Sequence, residues 1–159
     1  MVPGEKTSEA SIRSTFDLLR SAGKFPVLCK NHPGFIHNYI QMAMVSAALS
    51  LVEKGIASPE DVDTVIENGF GLRLPSTGPF KFIDMSGLYT ILNVMNYLYT
   101  HTGHPIYKPS PLLEEKVKQG ELGQKSGKGF YRYAGDAAAT SRIRIHRSIA
   151  AIKKALGKG

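Results

Sequence analysis

A glycine-rich segment near the carboxyl end constrains this chain more than any other feature. Residues 120–131 read GELGQKSGKGFY, with four glycines within ten residues, two interleaved lysines and two aromatic residues at the end. Glycine is favoured where the backbone φ angle is positive or where another part of the chain comes close. Large aromatic side chains such as Phe130 and Tyr131 favour burial. The segment therefore predicts a tightly packed closing loop instead of a helix or a strand.

A phosphate-binding loop is the alternative interpretation of the same glycines and lysines. In a Walker loop the lysine is followed by Ser or Thr at the start of a helix. Here Lys125 and Ser126 are followed by Gly127 and Gly129, which do not open a helix. The pattern therefore favours a structural corner over a phosphate cradle.

Length and composition indicate one globular domain. The chain has 159 residues, of which 42% are hydrophobic, so it is able to bury a core. The longest apolar stretch, Tyr39 to Val52, is interrupted by polar residues and is too short to cross a bilayer, and no signal-peptide pattern is visible. The single Cys29 permits neither an internal disulfide nor a Cys-x-x-Cys metal site. These observations favour a reducing compartment, and we expect a cytoplasmic protein without a metal or a membrane partner.

The net charge of +7 is concentrated at the carboxyl end. The last eighteen residues carry no acid and contain Arg142, Arg144, Arg147, Lys153, Lys154 and Lys158. Such a tail could bind nucleic acid or anionic lipid, but it lacks aromatic residues for base stacking. Isoleucines at 145, 149 and 152, followed by Leu156, form one apolar stripe. A docked amphipathic helix with a solvated basic face, starting after Thr140 or Ser141, is therefore favoured over a nucleic-acid site.

Capping residues and apolar periodicity predict a mainly helical chain. Ser58-Pro59 and Ser110-Pro111 each combine a capping serine with a proline at the first helical position. The longest helix carries apolar residues on nearly every face, which predicts that it is central and buried on several sides. We expect helices at about 8–22, 35–54, 59–68, 88–102 and 111–119, a short element at 78–87, and an edge or terminal strand from Phe25 to Lys30.

Several segments resemble one family in order and spacing. The closing segment GQKSGKGFY and the segment PGFIHN at 33–38 carry the resemblance, together with segments at 55–63, 78–88 and 109–113. They are similar to the C-terminal domain of L-3-hydroxyacyl-CoA dehydrogenases, including 3-hydroxybutyryl-CoA enzymes, over about residues 2–133. The resemblance implies an all-α domain of the 6-phosphogluconate-dehydrogenase C-terminal type. It also implies that the first helix and strand are the remnant of a Rossmann domain.

The nucleotide-binding half of such an enzyme is not visible in this sequence. The family carries a Gly-x-Gly-x-x-Gly turn over the pyrophosphate and a His/Glu pair that moves the hydroxyl proton, and neither occurs here at matching positions. The resemblance therefore implies that NAD is bound by a missing N-terminal domain, in cis or in trans. We expect residues 1–30 to be the remnant of that domain, residues 31–133 to be the helical dehydrogenase domain, and residues 134–159 to form the basic amphipathic helix.

Asn38 is the candidate catalytic residue. On a helix it shares a stripe with Phe35, Met42, Val45, Leu49 and Val52. The resemblance implies that its amide hydrogen-bonds the substrate oxygen at C3 or the catalytic histidine, and so orients and polarises without titrating. The alternative is an amide that only secures the start of the helix.

Other polar residues are weaker candidates. His32 and His37 are separated by a Pro-Gly break and do not share a helical face, and His101 and His104 lie at a helix end. Asp84 and Arg73 could pair, and Lys125 and Lys128 could assist coenzyme A phosphates, although the signature around the lysines is mostly structural in the resembled enzymes. None of these residues is assigned to the site.

Three residues depart from the family pattern and leave the substrate open. His32 stands where a small polar residue is usual, Tyr39 where Arg is common, and Tyr89 where Asp is common. The resemblance implies a homodimer acting on 3-hydroxyacyl-CoA, inactive without its nucleotide domain. The alternatives are a domain of a dehydrogenase for a free 3-hydroxy acid and a stand-alone acyl-CoA-binding or interaction module.

Overall fold

A computed structural model describes residues 1–157, and in this part of the chain all regular elements are helices. The seven α-helices are α1 (Glu9–Ser21), α2 (His37–Glu53), α3 (Pro59–Asn68), α4 (Pro79–Ser86), α5 (Leu88–Thr102), α6 (Pro111–Lys118) and α7 (Ala137–Ala155). Short 3-10 turns lie at Phe70–Arg73, Pro105–Tyr107 and Gln124–Ser126. The predicted all-α class is confirmed. None of the helices within residues 1–157 is long and apolar enough to span a membrane.

The chain divides into two compact units, and the first comprises Met1–Val62. In this unit Ser8 caps α1 by accepting a hydrogen bond from Ser11 N at 3.1 Å. Ser58 caps α3 in the same manner, because its Oγ accepts from Asp61 N at 3.1 Å and donates to Asp61 Oδ2 at 2.8 Å. Both helix starts lie where the capping serines predict them.

The predicted burial of the long helix α2 is wrong. No residue of α2 is buried, and many of its large apolar side chains are exposed. An apolar pattern on all faces shows that a helix packs against other residues, but it does not show whether those residues belong to the same chain.

The predicted strand from Phe25 to Lys30 is also wrong. The segment has no regular secondary structure, and among the described residues its backbone-to-backbone hydrogen bonds join it to Met1. Met1 N donates to Val27 O at 2.8 Å and Cys29 N donates to Met1 O at 3.0 Å. A strand requires a neighbouring strand that continues the ladder, and a contact with one residue does not form one.

The second unit begins at Asp63 and contains the core that positions the closing loop. Within it α5 packs against α4 and α6, and α7 packs against the 3-10 turns at Phe70–Arg73 and Gln124–Ser126. Leu72, Leu88, Leu113 and Ile145 are its buried apolar side chains. The basic tail is thus a docked helix, as its apolar stripe predicts, with Ile145 buried and Leu156 exposed.

Helix α7 starts earlier than predicted. Its N-cap is Asp136, whose Oδ1 accepts a hydrogen bond from Ala139 N at 2.9 Å, ahead of the predicted start after Thr140 or Ser141. Alanine is the best helix former, so residues 137–139 extend the helix to this cap. Lys158 of the basic tail lies outside the described residues.

Candidate functional site

A strained turn leads into the helix that carries Asn38. Gly34 and Phe35 both have positive φ angles, 78° and 48°, and Phe35 is the only non-glycine residue of residues 1–157 with such an angle. The left-handed conformation costs a residue with a side chain about 1–2 kcal/mol. The turn is held by hydrogen bonds from Phe35 N to His32 O at 2.9 Å and from Tyr39 N to Gly34 O at 3.2 Å. Backbone strain of this kind is concentrated at functional sites.

Two of the residues that depart from the family pattern lie in contact beside this turn. The rings of His32 and Tyr39 pack edge to face with centroids 5.3 Å apart. His32 Nδ1 lies 2.9 Å from Pro33 O. The two departures are therefore one structural feature, a paired ring contact adjacent to Asn38 in the sequence. No cluster of metal-ligating side chains that includes His32 or His37 occurs within residues 1–157.

Asn38 lies in the first turn of α2 with an exposed side chain. The N-cap of this helix is Ile36, and no side chain makes a capping hydrogen bond there. The helix start is therefore not secured by the Asn38 amide, and this amide forms no hydrogen bond within the described part of the chain. Its donors and acceptor are available to another molecule.

The stripe that Asn38 shares is apolar and open. Met42, Val45 and Leu49 of α2 are 50%, 38% and 57% exposed. Phe35, predicted to share this stripe, is 48% exposed but lies in the strained turn ahead of the helix and not on it. Isolated exposed apolar residues are common, but a continuous row on one helix indicates a surface that contacts another molecule.

The closing loop is organised by a buried carboxylate in the second unit. Asp84 of α4 is 1% exposed. Its Oδ1 accepts a hydrogen bond from Phe130 N at 2.9 Å, and its Oδ2 accepts from Tyr131 N at 2.9 Å and from the Tyr133 hydroxyl at 2.8 Å. Three donors compensate for the cost of burying this charge.

The glycines of the loop make room for this carboxylate. A Cβ atom at Gly129 would lie 2.7 Å from Asp84 Cγ, and one at Gly123, which has a φ angle of 100°, would lie 2.9 Å from Asp84 C. Both distances are shorter than any normal van der Waals contact. The segment is therefore a structural corner, as the glycine spacing predicts, and its glycines permit the close approach of α4.

The lysines around the loop pair with an acid of the same region. Lys116 Nζ donates to Glu121 Oε2 at 2.7 Å and to Gly129 O at 2.9 Å, and Lys128 forms an ion pair with Glu121 Oε1. These hydrogen bonds, from Lys116 first, hold the pKa of Glu121 below its usual value. Lys128 thus has a structural partner, which argues against the phosphate-loop alternative.

The structure does not bring Asp84 and Arg73 together. The Arg73 guanidinium lies 4.0 Å from the centroid of the Phe82 ring, and Asp84 is occupied by the closing loop.

Burial, together with the Asp84 hydrogen bond, raises the pKa of Tyr133 to about 12. The sequence-based interpretation named Asp84 only as a possible partner of Arg73 and missed its role in the closing loop, for which the clustered glycines of the loop are the hint in the sequence.

The histidines at the end of α5 have structural partners. His101 Nδ1 lies 2.7 Å from Tyr97 O and its ring packs against Tyr97 with centroids 4.1 Å apart. His104 Nδ1 accepts from Ile106 N at 3.3 Å and so caps the following 3-10 turn. Neither belongs to a metal cluster of residues 1–157.

A family comparison identifies the class to which this arrangement belongs. The family described as 3-hydroxyacyl-CoA dehydrogenase, C-terminal domain, matches residues 34–133, from the strained turn to Tyr133. The chain therefore belongs to the 3-hydroxyacyl-CoA dehydrogenase family of oxidoreductases, as its helical C-terminal domain.

Two protein relatives and one solved structure illustrate the range of the similarity. A probable 3-hydroxybutyryl-CoA dehydrogenase from Deinococcus radiodurans is 38% identical over 133 residues, which cover 84% of this chain and 47% of that protein. A 5-formyl-3-hydroxy-2-methylpyridine 4-carboxylate 5-dehydrogenase from Mesorhizobium japonicum is 31% identical over 157 residues, 98% of this chain and 50% of that protein.

The crystal structure of a 3-hydroxyacyl-CoA dehydrogenase from Archaeoglobus fulgidus superimposes with a TM-score of 0.83 at 32% identity. The alignment covers 99% of this chain and 54% of that one. The chain thus spans about half the length of the relatives that it matches.

Proposed function

We propose that this chain is the dimerisation and substrate-cleft part of an NAD-dependent L-3-hydroxyacyl-CoA dehydrogenase, which oxidises 3-hydroxyacyl-CoA to 3-oxoacyl-CoA. The observation that carries the proposal is the family match over residues 34–133, which contains both Asn38 and the closing loop. The names of the Deinococcus and Archaeoglobus relatives support the substrate class.

Asn38 supplies the chemistry of this part of the enzyme. Its amide hydrogen-bonds the substrate oxygen at C3 or the histidine that moves the hydroxyl proton, and thereby orients the reacting carbon. Support comes from its exposed amide and from the strained turn at Gly34 and Phe35, which fixes the first turn of α2. An amide does not titrate, so it contributes polarisation and position but no proton transfer.

NAD belongs to a nucleotide-binding domain outside this chain, in cis or in trans. The described residues do not fit this cofactor, because a pyrophosphate site of the Rossmann type requires a glycine-rich turn between a strand and a helix. No strand occurs in residues 1–157, and the glycine fingerprint is missing from the sequence. In this proposal residues 1–30 are the remnant of that domain, residues 31–133 form the dehydrogenase domain, and residues 134–159 are an appended basic segment that contains α7 (Ala137–Ala155).

The apolar surface of α2 forms a homodimer in this proposal. Tyr39, Ile40 and Leu49 are exposed on different faces of the helix, with exposures of 63%, 54% and 57%. Obligate dimer interfaces are more hydrophobic than the rest of a protein surface. A second copy of the same helix would remove these side chains from water.

A dehydrogenase for a free hydroxy acid is the second candidate. The Mesorhizobium relative, whose name gives a pyridine carboxylate as its substrate, matches 98% of the chain and so includes the region of α7. The His32–Tyr39 ring pair beside Asn38, where the family pattern differs, would then adapt the cleft to a substrate without coenzyme A.

A chimera tests the proposed reaction directly. The nucleotide-binding half of the Archaeoglobus enzyme is joined ahead of Met1, and NADH formation is followed with 3-hydroxybutyryl-CoA and with free 3-hydroxybutyrate. We expect turnover of the CoA ester by the chimera and none by the 159-residue chain alone.

A matched pair of variants then tests Asn38. Asn38→Ala in the chimera should lower kcat by about 100-fold, whereas Asn96→Ala, an exposed asparagine on α5, should have no effect. Turnover of the free acid alone would favour the second candidate. A folded chimera that retains full activity after Asn38→Ala would refute the assigned role.

A further inference from the structure

A cavity lies in the second unit, beside the closing loop. It has a volume of about 380 Å³ and is formed by the start of α4, the closing loop and the first half of α7. Its lining includes Thr77, Lys81, Gln124, Arg132, Tyr133 and Arg144. Cavities that hold small organic molecules begin at about this size.

Two buried polar atoms at this cavity have no hydrogen-bond partner within residues 1–157. Thr77 is 2% exposed, and its Oγ1 is unpaired. Gln124 donates through Nε2 to Ser141 Oγ at 2.8 Å, but its Oε1 is unpaired. Buried polar atoms are nearly always partnered in folded proteins, because leaving them unpaired is unfavourable. Both residues line the same cavity, so one ligand could satisfy both atoms.

The cavity carries an uncompensated positive charge. Lys81, Arg132 and Arg144 line it, no acidic residue does, and none of the three cations forms an ion pair with an acid in the described part of the chain. The nearest acids in the sequence are already occupied. Asp84 accepts three hydrogen bonds from the closing loop, and Asp136 caps α7.

We propose that this cavity binds the phosphate group of a small phosphate monoester. Three cations match a doubly charged phosphate better than a singly charged carboxylate, and a guanidinium fork binds phosphate oxygens in bidentate geometry. The Thr77 hydroxyl donates to a phosphate oxygen, and a monoester that also carries a hydroxyl would donate it to the Gln124 carbonyl oxygen. Met85 and Ala137 also line the cavity and provide apolar contacts for the organic part of the ester.

This site is independent of the dehydrogenase reaction. It is built from residues 77–144 of the second unit and uses neither Asn38 nor α2. Arg144 comes from α7, so the appended helix completes the site.

Calorimetric titration of the 159-residue chain tests the proposal. The probes are phenyl phosphate, inorganic phosphate and acetate, each at the same ionic strength in chloride, so that general screening is constant. We expect phenyl phosphate to bind most tightly, inorganic phosphate more weakly and acetate not measurably. Equal binding of inorganic phosphate and the monoester would identify free phosphate as the ligand, and equal binding of acetate would overturn the assignment to phosphate.

Two charge-matched variants on one helix separate the site from the basic tail. Arg144→Gln should weaken phenyl phosphate binding by about tenfold, the factor expected for loss of a charge-assisted hydrogen bond. Arg142→Gln removes the same charge from an exposed position of α7 outside the lining, and binding should change by less than twofold. Equal losses in the two variants would show general electrostatic attraction and would refute the site.

Thr77→Val separates binding from folding. The variant keeps the shape and removes an unpaired hydroxyl, so the Tm without ligand should stay the same or rise. The affinity for phenyl phosphate should fall by about fivefold. A lower Tm with unchanged affinity would show that the hydroxyl serves the fold alone, and would overturn its role in the site.

Discussion

The surroundings of Asp84 and the surface of α2 use polar and apolar side chains in opposite ways. Around Asp84 a buried carboxylate has three donors, and two glycines remove the Cβ atoms that would obstruct it. Along α2 large apolar side chains are exposed and the Asn38 amide has no partner within residues 1–157. One region is completed within the chain, whereas the other agrees with the proposed contacts to a second copy and a substrate.

The largest expected effect on stability comes from removing the buried carboxylate of Asp84, to which the closing loop is hydrogen-bonded. Asp84→Ala leaves two backbone N–H groups and the Tyr133 hydroxyl without an acceptor and should lower the free energy of unfolding by roughly 4 kcal/mol. Urea denaturation measures the change. Asp63→Ala, at an exposed position of α3, should alter stability by less than about 0.5 kcal/mol. Equal losses in both variants would contradict a special role for Asp84.

A smaller loss is expected when the space beside Asp84 is filled. Gly129 does not have a positive φ angle, so Gly129→Ala tests the steric contact with Asp84 without adding backbone strain. We expect destabilisation of roughly 3 kcal/mol from overpacking. Gly4→Ala is the control, because its Cβ would lie 3.8 Å from the nearest atom, Thr7 Oγ1. A neutral Gly129→Ala variant in the same denaturation assay would show that the loop can move away from α4.

The exposed surface of α2 is tested by measuring self-association of the chain, not its stability. Leu49→Glu places a charge on the exposed stripe of α2 and should weaken the proposed homodimer by at least about 30-fold, or roughly 2 kcal/mol. Analytical ultracentrifugation at micromolar concentration measures this. Leu18→Glu, at a position of α1 that is 69% exposed, should leave the mass unchanged. If the unmodified chain is strictly monomeric in the same experiment, the proposed homodimer through α2 is refuted, and with it the contrast between this open surface and the completed surroundings of Asp84.

The smallest effect is a pH-dependent one at Tyr133. Tyr133→Phe removes one donor from Asp84 and should cost about 1.5 kcal/mol at pH 8, while the exposed Tyr131→Phe should cost little. Burial, with Asp84, raises the pKa of folded Tyr133 to about 12 from its ordinary 10. The contribution is therefore fully present below pH 10 and is lost as the pH rises toward 12. Denaturation at pH 8 and pH 11 should show the difference shrinking, and a constant difference would refute the linkage.

Helix positions were predictable from local signals. Serine caps, prolines at first positions and apolar periodicity predict α3, α5 and α6 to within a residue or two of their observed bounds. The closing loop was predictable as a packed corner because glycine requirements are visible in the sequence. These features depend on residues within a few positions of one another.

Features that depend on distant or external partners were not predictable. Asp84 lies 46 positions from Phe130, and a hydrogen bond to a backbone N–H leaves no trace in the donor's residue type. The segment from Phe25 to Lys30 has the composition of a strand, but the pairing that defines a strand depends on a neighbouring strand. The apolar faces of α2 predict that the helix is shielded from water, but they do not show whether the shielding residues belong to this chain or to another molecule. The role of Asn38 stays a prediction.

The shared position of Glu121 between Lys116 and Lys128 has a consequence for acid tolerance. Because the two lysines hold the pKa of Glu121 below its usual 4.5, this carboxylate stays ionised in mildly acidic solution. Its contribution is present above that ordinary value and is lost only as the pH falls through the lower value of the folded chain. The pairing of Glu121 with Lys116 and Lys128 should therefore persist to a lower pH than ordinary surface ion pairs, whether in an acidic cell compartment or in an acidic buffer.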